Sequence, residues 1–203
     1  MVNQAKRSEA TIAAILRVAR ASFGKRGFAT TTIDRIAADC GVAKGAVYHH
    51  FASKEELFTA VLEAVQADVA RAPVSPADRQ LTDPLDQIAA GVLRYLLATS
   101  AANTRRILLI DGPTVVGWQK WREIDARIFG AGAKAAIALA LGPNVKTPQI
   151  DAIVHLLMGS VTEAALVCAG SPRPKAQARV FAAEIRAMLE GIRAAHGAVT
   201  SNR

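Results

Sequence analysis

Apolar residues recur along this chain at three- and four-residue spacing, the period of amphipathic helices. Ile12, Ile15, Leu16, Ala19 and Phe23 fall on one face and write a first helix, which Gly24 and Gly27 loosen and then stop. Thr31 is read as the cap of a short second helix reaching about Cys40, with Asp34 favourable at its positive end. Ser53, followed three residues later by Glu56, forms a capping box that opens a fourth helix through Leu57, Phe58, Val61, Leu62 and Val65. The stretch RAPVSPAD from Arg71 to Asp78 then breaks the pattern with two prolines and a serine, the best domain boundary in the chain.

Asp83-Pro84 restarts helix as an N-cap followed by a first-turn proline, and Leu85, Ile88, Val92, Tyr95 and Leu96 mark a fifth element. A short sixth covers Ile107 to Ile110. Pro113 opens a seventh that carries Trp118, Trp121, Ile124, Ile128 and Phe129 and ends at Gly142-Pro143-Asn144. Thr147-Pro148 starts an eighth, running to about Ala169, and Ser171-Pro172-Arg173-Pro174 separates it from a ninth ending near His196. Residues 197 to 203 read as a frayed tail. No segment alternates with period two and no solenoid repeat is visible, so the expected fold class is all-α, with a domain over residues 1–70 and another over 71–203.

Composition narrows the classes. Hydrophobic residues make up 51% of the 203 and charged residues 21%, far from the balance of a disordered chain. The apolar stretches are interrupted by Arg17, Arg94, Lys134, and His155 with Glu163, so no membrane-spanning helix and no membrane partner are expected. The segment Thr11 to Leu16 is too short for a secretory core, and a cytoplasmic protein is the expectation. Cys40 and Cys168 stand far apart with no CxxC and no histidine pair nearby, which suggests neither zinc nor a disulfide framework. Lys and Arg number 25 against 17 acids, a net charge of +8 that favours an anionic partner. Aromatics at 5% are too few for a platform that stacks single-stranded bases.

The informative stretch is TIDRIAADCGVAKGAVYHHF, Thr32 to Phe51. Two short helices joined by a tight turn need a small residue where they touch, a residue tolerant of positive φ at the turn, and apolar residues that fix the crossing. Ala37, Gly41, and the set Ile33, Ile36, Val42 and Val47 occupy those positions. With Val47 turned inward, Lys44, Gly45, Tyr48 and His49 form an outward stripe, flanked by Ala46, on a helix of a length that fits a major groove. Thr31 and Thr32, Lys44, and Ser53-Lys54 lie at three helix starts, whose free N–H groups suit phosphate oxygens. Residues 1–52 carry eight Lys and Arg against three acids.

Residues 8–69, with the run RGFATTTIDRIAADCGVAKGAVYHHFASKEELF, resemble the DNA-binding domain of the TetR family of transcriptional regulators, over about 30% of the chain. The resemblance implies a nine-helix, two-domain homodimer, responsive to an unknown small-molecule effector and bound to a double-stranded palindromic operator, with repression the family's habit. It implies DNA contacts at Thr32, Lys44, Tyr48, His49 and Lys54, the last with Tyr48 mostly on phosphate. It also implies a ligand cavity among helices five to eight, and a four-helix dimer bundle from the last two helices. Ile150, Ile153, Val154, Leu157 and Val161 with Phe181, Ile185, Met188, Leu189 and Ile192 are the expected dimer contacts.

Other features admit two readings. Trp118 and Trp121 with Arg122 line a cavity or form ordinary core; Tyr95, Phe129 and Met158 are further pocket candidates. His155 inside an apolar helix is a packing or interface histidine, or a ligand contact. His49 and His50 point about 100° apart on a helix and make no metal site. Gly130-Ala-Gly132-Ala-Lys-Ala135 fits a loose dinucleotide fingerprint but follows helix where a strand is required. No Walker loop, nucleophile elbow, HExxH or catalytic triad is found, so neither a cofactor nor an enzymatic activity is expected. The competing reading from another class is a helical small-molecule carrier, or a nucleoid-type protein, that binds DNA without sequence preference.

Overall fold

The computed structural model describes residues 2–198; the expected frayed tail lies outside them from residue 199, while residues 197 and 198 close the last helix. The described residues are helical throughout, without strands: α1 (Val2–Arg26), α2 (Ile33–Cys40), α3 (Lys44–His50), α4 (Lys54–Ala70), α5 (Pro84–Thr99), α6 (Ala102–Arg105), α7 (Gly112–Val116), α8 (Trp118–Leu141), α9 (Thr147–Gly170) and α10 (Pro174–Ala198). A single 3₁₀ turn, Asp78–Gln80, sits in the proline-rich break, and a π-helical stretch, Arg106–Asp111, joins α6 to α7. Counting that continuous stretch as one helix gives nine among the described residues.

The chain divides into two compact units. The first holds the chain up to Asp68 together with Ala101–Ile124; the second holds Val69–Ser100 and Asp125 onward. The first unit gives way to the second at Val69, and Ala101–Ile124 groups with the N-terminal helices although it lies within the stretch 71–203 expected as one domain. Its polar contacts explain why. The Asp111 carboxylate accepts the Phe28 N–H at 2.8 Å, and Arg106 donates to the Lys25 carbonyl at 3.2 Å.

In the first unit the core is Ile15, Ala19, Phe23, Ile36, Val47, Leu57, Phe58, Val61 and Leu62, all essentially without solvent exposure. Phe58 meets Phe23 and Phe28 edge-on, each at 5.2 Å between ring centres. The π stretch leaves one carbonyl without its backbone partner. The Leu108 carbonyl needs an N–H five residues on, and that residue is Pro113, which has none. The buried Trp121 indole supplies the missing donor to the Leu108 carbonyl at 2.8 Å. Gly112 makes room for this arrangement, since a Cβ there would stand 2.8 Å from the Ile107 carbonyl oxygen and 3.0 Å from the Trp121 ring. The expected seventh helix is therefore broken: α7 carries Pro113 in its first turn and stops at Gly117, and α8 begins anew at Trp118.

In the second unit α10 packs along α5 and α9. Asp83 caps α5, accepting the Leu85 N–H at 2.9 Å, with Pro84 in the first turn. The same carboxylate receives Arg193 of α10 at 3.0 and 3.2 Å, and Arg186 pairs with Asp86. These pairs hold the Asp83 carboxyl below its ordinary range, the Arg193 hydrogen bond contributing most. Helix α9 is the exception to the expected absence of membrane-type segments, because by length and composition it is apolar enough to cross a bilayer. Its interrupting charges, Asp151 and Glu163, are too few to lower its average.

Asp83 gains its partners only on folding, so its stabilisation is complete above the unfolded carboxyl value, about pH 4, and is lost as pH falls toward the lower folded value. Asp83→Asn keeps a capping oxygen but no charge. It is expected to lower the melting temperature by about 2–4 °C at pH 7 and to flatten the decline below about pH 4; an unchanged acid limb in thermal melts would remove Asp83 from this role.

Candidate nucleic-acid interface

Helix α2 opens at Thr32, not Thr31. The Thr32 hydroxyl accepts the Arg35 N–H at 3.3 Å, whereas Thr31 is buried and its hydroxyl donates to the Gly27 carbonyl at 2.8 Å. Thr31 therefore does not reach the surface as a phosphate contact. Helix α2 ends at Gly41, whose φ of 67° lies in the left-handed region and whose N–H turns back on the Ala37 and Ala38 carbonyls. Val42 N–H also returns to Ala37, at 3.0 Å, closing the tight turn into α3.

Helix α3 then presents two faces. Val47 is fully buried beneath it, while Lys44, Gly45, Tyr48 and His49 are exposed and Ala46 is half-buried. The first turn of α3 has no side-chain cap, although its Ala46 N–H donates to the Ala43 carbonyl at 2.9 Å, so the N–H groups of Lys44 and Gly45 are the ones without a capping side chain. The starts of α2 and α4 are partly capped internally: Ser53 accepts the Glu56 N–H at 3.1 Å, and Glu56 accepts the Ala52 N–H at 2.7 Å.

Two cations on this face are already engaged. Lys44 stands 3.0 Å from Asp34 across the turn, and this contact raises its ammonium pKa. Both side chains are more than half exposed, so water and salt screen the pair and a phosphate can compete for the lysine. Lys54 is held more firmly. Its ammonium donates to the Phe28 and Thr31 carbonyls at 3.0 and 3.1 Å and sits 4.1 Å from the centre of the Phe28 ring, leaving one N–H direction unspent. Sequence reasoning missed Asp34 as the partner of Lys44 and Phe28 as the platform for Lys54. The first pair spans ten residues with no periodic relation, and the second spans 26.

The second unit contains a cavity of about 450 Å³ among α5, α8, α9 and the end of α4. Of the expected pocket residues, Tyr95, Phe129 and Met158 line it. Trp118, Trp121 and Arg122 belong to the first unit: Trp121 is buried core, and Trp118 is exposed, stacked on Trp121 at 5.3 Å with Arg122 over its ring. His155 is exposed on α9, off the lining. Among the expected dimer residues, Ile150, Ile153, Val154, Ile185 and Leu189 are buried within the unit, Leu157, Val161, Phe181 and Ile192 are half-buried, and Met188 is exposed. The open apolar face lies one step round each helix, at Leu156, Leu166 and Val167 of α9 and Val180 and Met188 of α10. Among the described residues no cluster of His, Cys, Asp and Glu could hold a metal ion.

Two family models match, covering most of the length. Residues 15–61 match bacterial regulatory proteins of the tetR family, and residues 85–192 match a tetracyclin repressor-like C-terminal domain. The chain belongs to the TetR family. The HTH-type transcriptional regulator TtgR of Pseudomonas putida is 38% identical over 117 residues, 53% of this chain and 52% of that protein. The chain spans about half the length, or less, of the first curated relatives it matches. A TetR-family transcriptional regulator from Pectobacterium atrosepticum has a solved structure that superposes with a TM-score of 0.71 at 25% identity, over 92% of this chain and 95% of that one. RolR in complex with its ligand resorcinol matches at a TM-score of 0.69 and 21% identity, over 91% and 89%, a likeness of fold.

Lys54→Met removes the donor to two carbonyls in the turn that TetR-family α2 starts from. The expected loss in chemical denaturation is about 1–3 kcal/mol, and unchanged stability would show that the ammonium is not a structural tie.

Proposed function

We propose that the chain is a sequence-specific DNA-binding transcriptional regulator, a repressor that binds a palindromic operator as a homodimer and responds to a small molecule. The observation that carries this reading is the turn at Gly41, which buries Val47 and leaves Lys44, Tyr48 and His49 outward on α3, inside the segment matched by the family model. In this reading α3 enters the major groove. Tyr48 and the open N–H groups of α3 meet phosphates, Lys44 exchanges Asp34 for a phosphate, and His49 meets base edges. Thr32 and Lys54 position the helix-turn-helix, with the remaining Lys54 N–H available to the backbone.

Residues 1–70 then serve DNA binding, and the second unit serves ligand binding and dimerisation, in the cytoplasm where the DNA is. A helix as apolar as α9 needs cover on both sides. Within the unit α5 and α10 cover one side, and the exposed strip of Leu156, Leu166, Val167, Val180 and Met188 supports a second copy covering the other. Two-fold symmetry would set the two α3 helices about 34 Å apart, in successive major grooves. Helix α4 begins at Lys54 and ends with Val69 and Ala70 on the cavity wall, so a ligand that prefers one position of that end favours one setting of the reading helices.

In vitro selection on a random duplex pool is expected to enrich a palindrome, bound about 10³–10⁷ times tighter than scrambled duplex at fixed salt. His49→Ala should change the preferred bases. Failure to enrich any motif with dimeric, ligand-free protein would favour a non-specific binder or a carrier. Met188→Asp is expected to give monomer by light scattering and to lose operator binding; a variant that stays dimeric would place the interface elsewhere.

A further inference from the structure

The polar groups around the cavity differ in what they have left to offer. The Thr162 hydroxyl donates to the Met158 carbonyl at 2.9 Å, and the Gln87 amide donates to the Leu81 carbonyl at 2.8 Å. Arg94 grips Asp78 at 2.6 Å, so the cation on the wall is committed to a carboxylate. Asp125 is buried and already in contact with a partner of its own. Tyr95 is different. Among the described residues its hydroxyl has no hydrogen-bond partner, while its ring meets Phe129 edge-on at 5.5 Å and 89°.

The remaining wall is apolar or small. Gly91 on α5 and Gly132, Ala133 and Ala136 on α8 leave a slot bordered by backbone, and Ile88, Val92 and Val161 close it. Such a slot accepts a flat ring. Its volume of about 450 Å³ suits a molecule of one to three rings, within the roughly 300–1,000 Å³ common for small-ligand sites. Burial, and secondarily the negative charge of Asp125, hold the Tyr95 phenol far above its ordinary range, so it stays protonated and acts as a donor. The same two conditions oppose an anion beside it.

We propose that this cavity binds an uncharged aromatic molecule bearing a hydrogen-bond acceptor such as a carbonyl or ether oxygen, which the Tyr95 hydroxyl donates to, and that it rejects a carboxylate of the same shape. The inference rests on the reading of the second unit as the ligand-binding part and gives that ligand a chemical class. Tyr95 selects the acceptor; the slot selects the ring; Asp125 and the committed Arg94 exclude the anion.

Three naphthalenes test this on the purified full chain by isothermal titration and thermal shift. 2-Acetylnaphthalene offers an acceptor and no charge, 2-naphthoate is its near-isosteric anion, and naphthalene has neither. The neutral ketone is expected to bind at least tenfold tighter than the carboxylate. Tyr95→Phe, which keeps the ring, should weaken the ketone by about 3- to 10-fold and leave naphthalene unchanged. Ala136→Trp, which fills the slot, should abolish binding of both neutral probes. Equal or tighter binding of 2-naphthoate, an unaltered ketone affinity in Tyr95→Phe, or no binding of the ketone would each overturn the proposal. Failure of the regulator reading shows separately: the ketone would bind as expected while the affinity for selected DNA, or the failure to select any, stayed the same with and without it.

Discussion

Lys54 bridges the carbonyls at the two ends of the Phe28–Thr31 turn while lying over the Phe28 ring, and the placement of α2 depends on that bridge. Other contacts close the turn around it. Phe28 leans on Phe23 and Phe58, its N–H is taken by Asp111, and Thr31 is sealed against Gly27. With the turn fixed, Thr32 can cap α2, α2 can end at Gly41, and α3 can seat Val47 on the core. The surface offered by α3 is thus decided by its seat against α2, and that of α2 by the turn that α1, α4 and the π stretch hold. A charged side chain in this role gains from a half-buried setting, where a carbonyl–ammonium bond is stronger than in water.

What the sequence disclosed was what is local in it. The Ser53–Glu56 box, the Asp83-Pro84 start and the Gly41 stop each involve residues within a few positions of one another, and each has its counterpart in the structure. The outward stripe of α3 was legible for the same reason, since one inward valine fixes the rest of a seven-residue helix. Three threonines in a row, Thr30 to Thr32, blurred the start of α2, because Thr31 and Thr32 can each cap and only tertiary burial chooses Thr32. The faces of α9 were illegible: when nearly every position is apolar, periodicity has nothing to contrast, and Ile153 inside cannot be told from Leu156 outside. Trp118 and Trp121 misled in another way, being three residues apart on one helix but on opposite sides of a burial boundary.

Charge needs a similar correction. The count of 25 Lys and Arg overstates the free cations a polyanion meets, since Arg20, Arg35 and Lys44 of the N-terminal unit each face a carboxylate, Asp68, Asp39 and Asp34, acids that the net +8 already subtracts. These exposed pairs are weak and salt-sensitive. They lower the attraction to any duplex encountered at random, and a partner that gains further contacts can still displace them. An acid beside a cation on a DNA-facing surface therefore works toward discrimination rather than toward affinity.

The π stretch at Arg106–Asp111 carries a consequence for chain length. A π turn holds one residue more than an α turn, and each residue added to a helix rotates the chain beyond it by about 100°. The wider turn takes up that extra residue, so the helix beyond it keeps the phase it would have with one residue fewer in α form. Removing the exposed Ile110 would let the stretch relax to α-helix with Gly112 and Pro113 close to their present sides of the axis. The Leu108 carbonyl would then meet Pro113 at the α spacing, again without an N–H, and Trp121 would still serve it. A deletion inside a plain α-helix such as α8 has no such slack and turns everything beyond it by about 100°. The π stretch is thus a place where the chain can lose a residue without losing its phase, as long as the buried Ile107, Leu108 and Leu109 keep their seats.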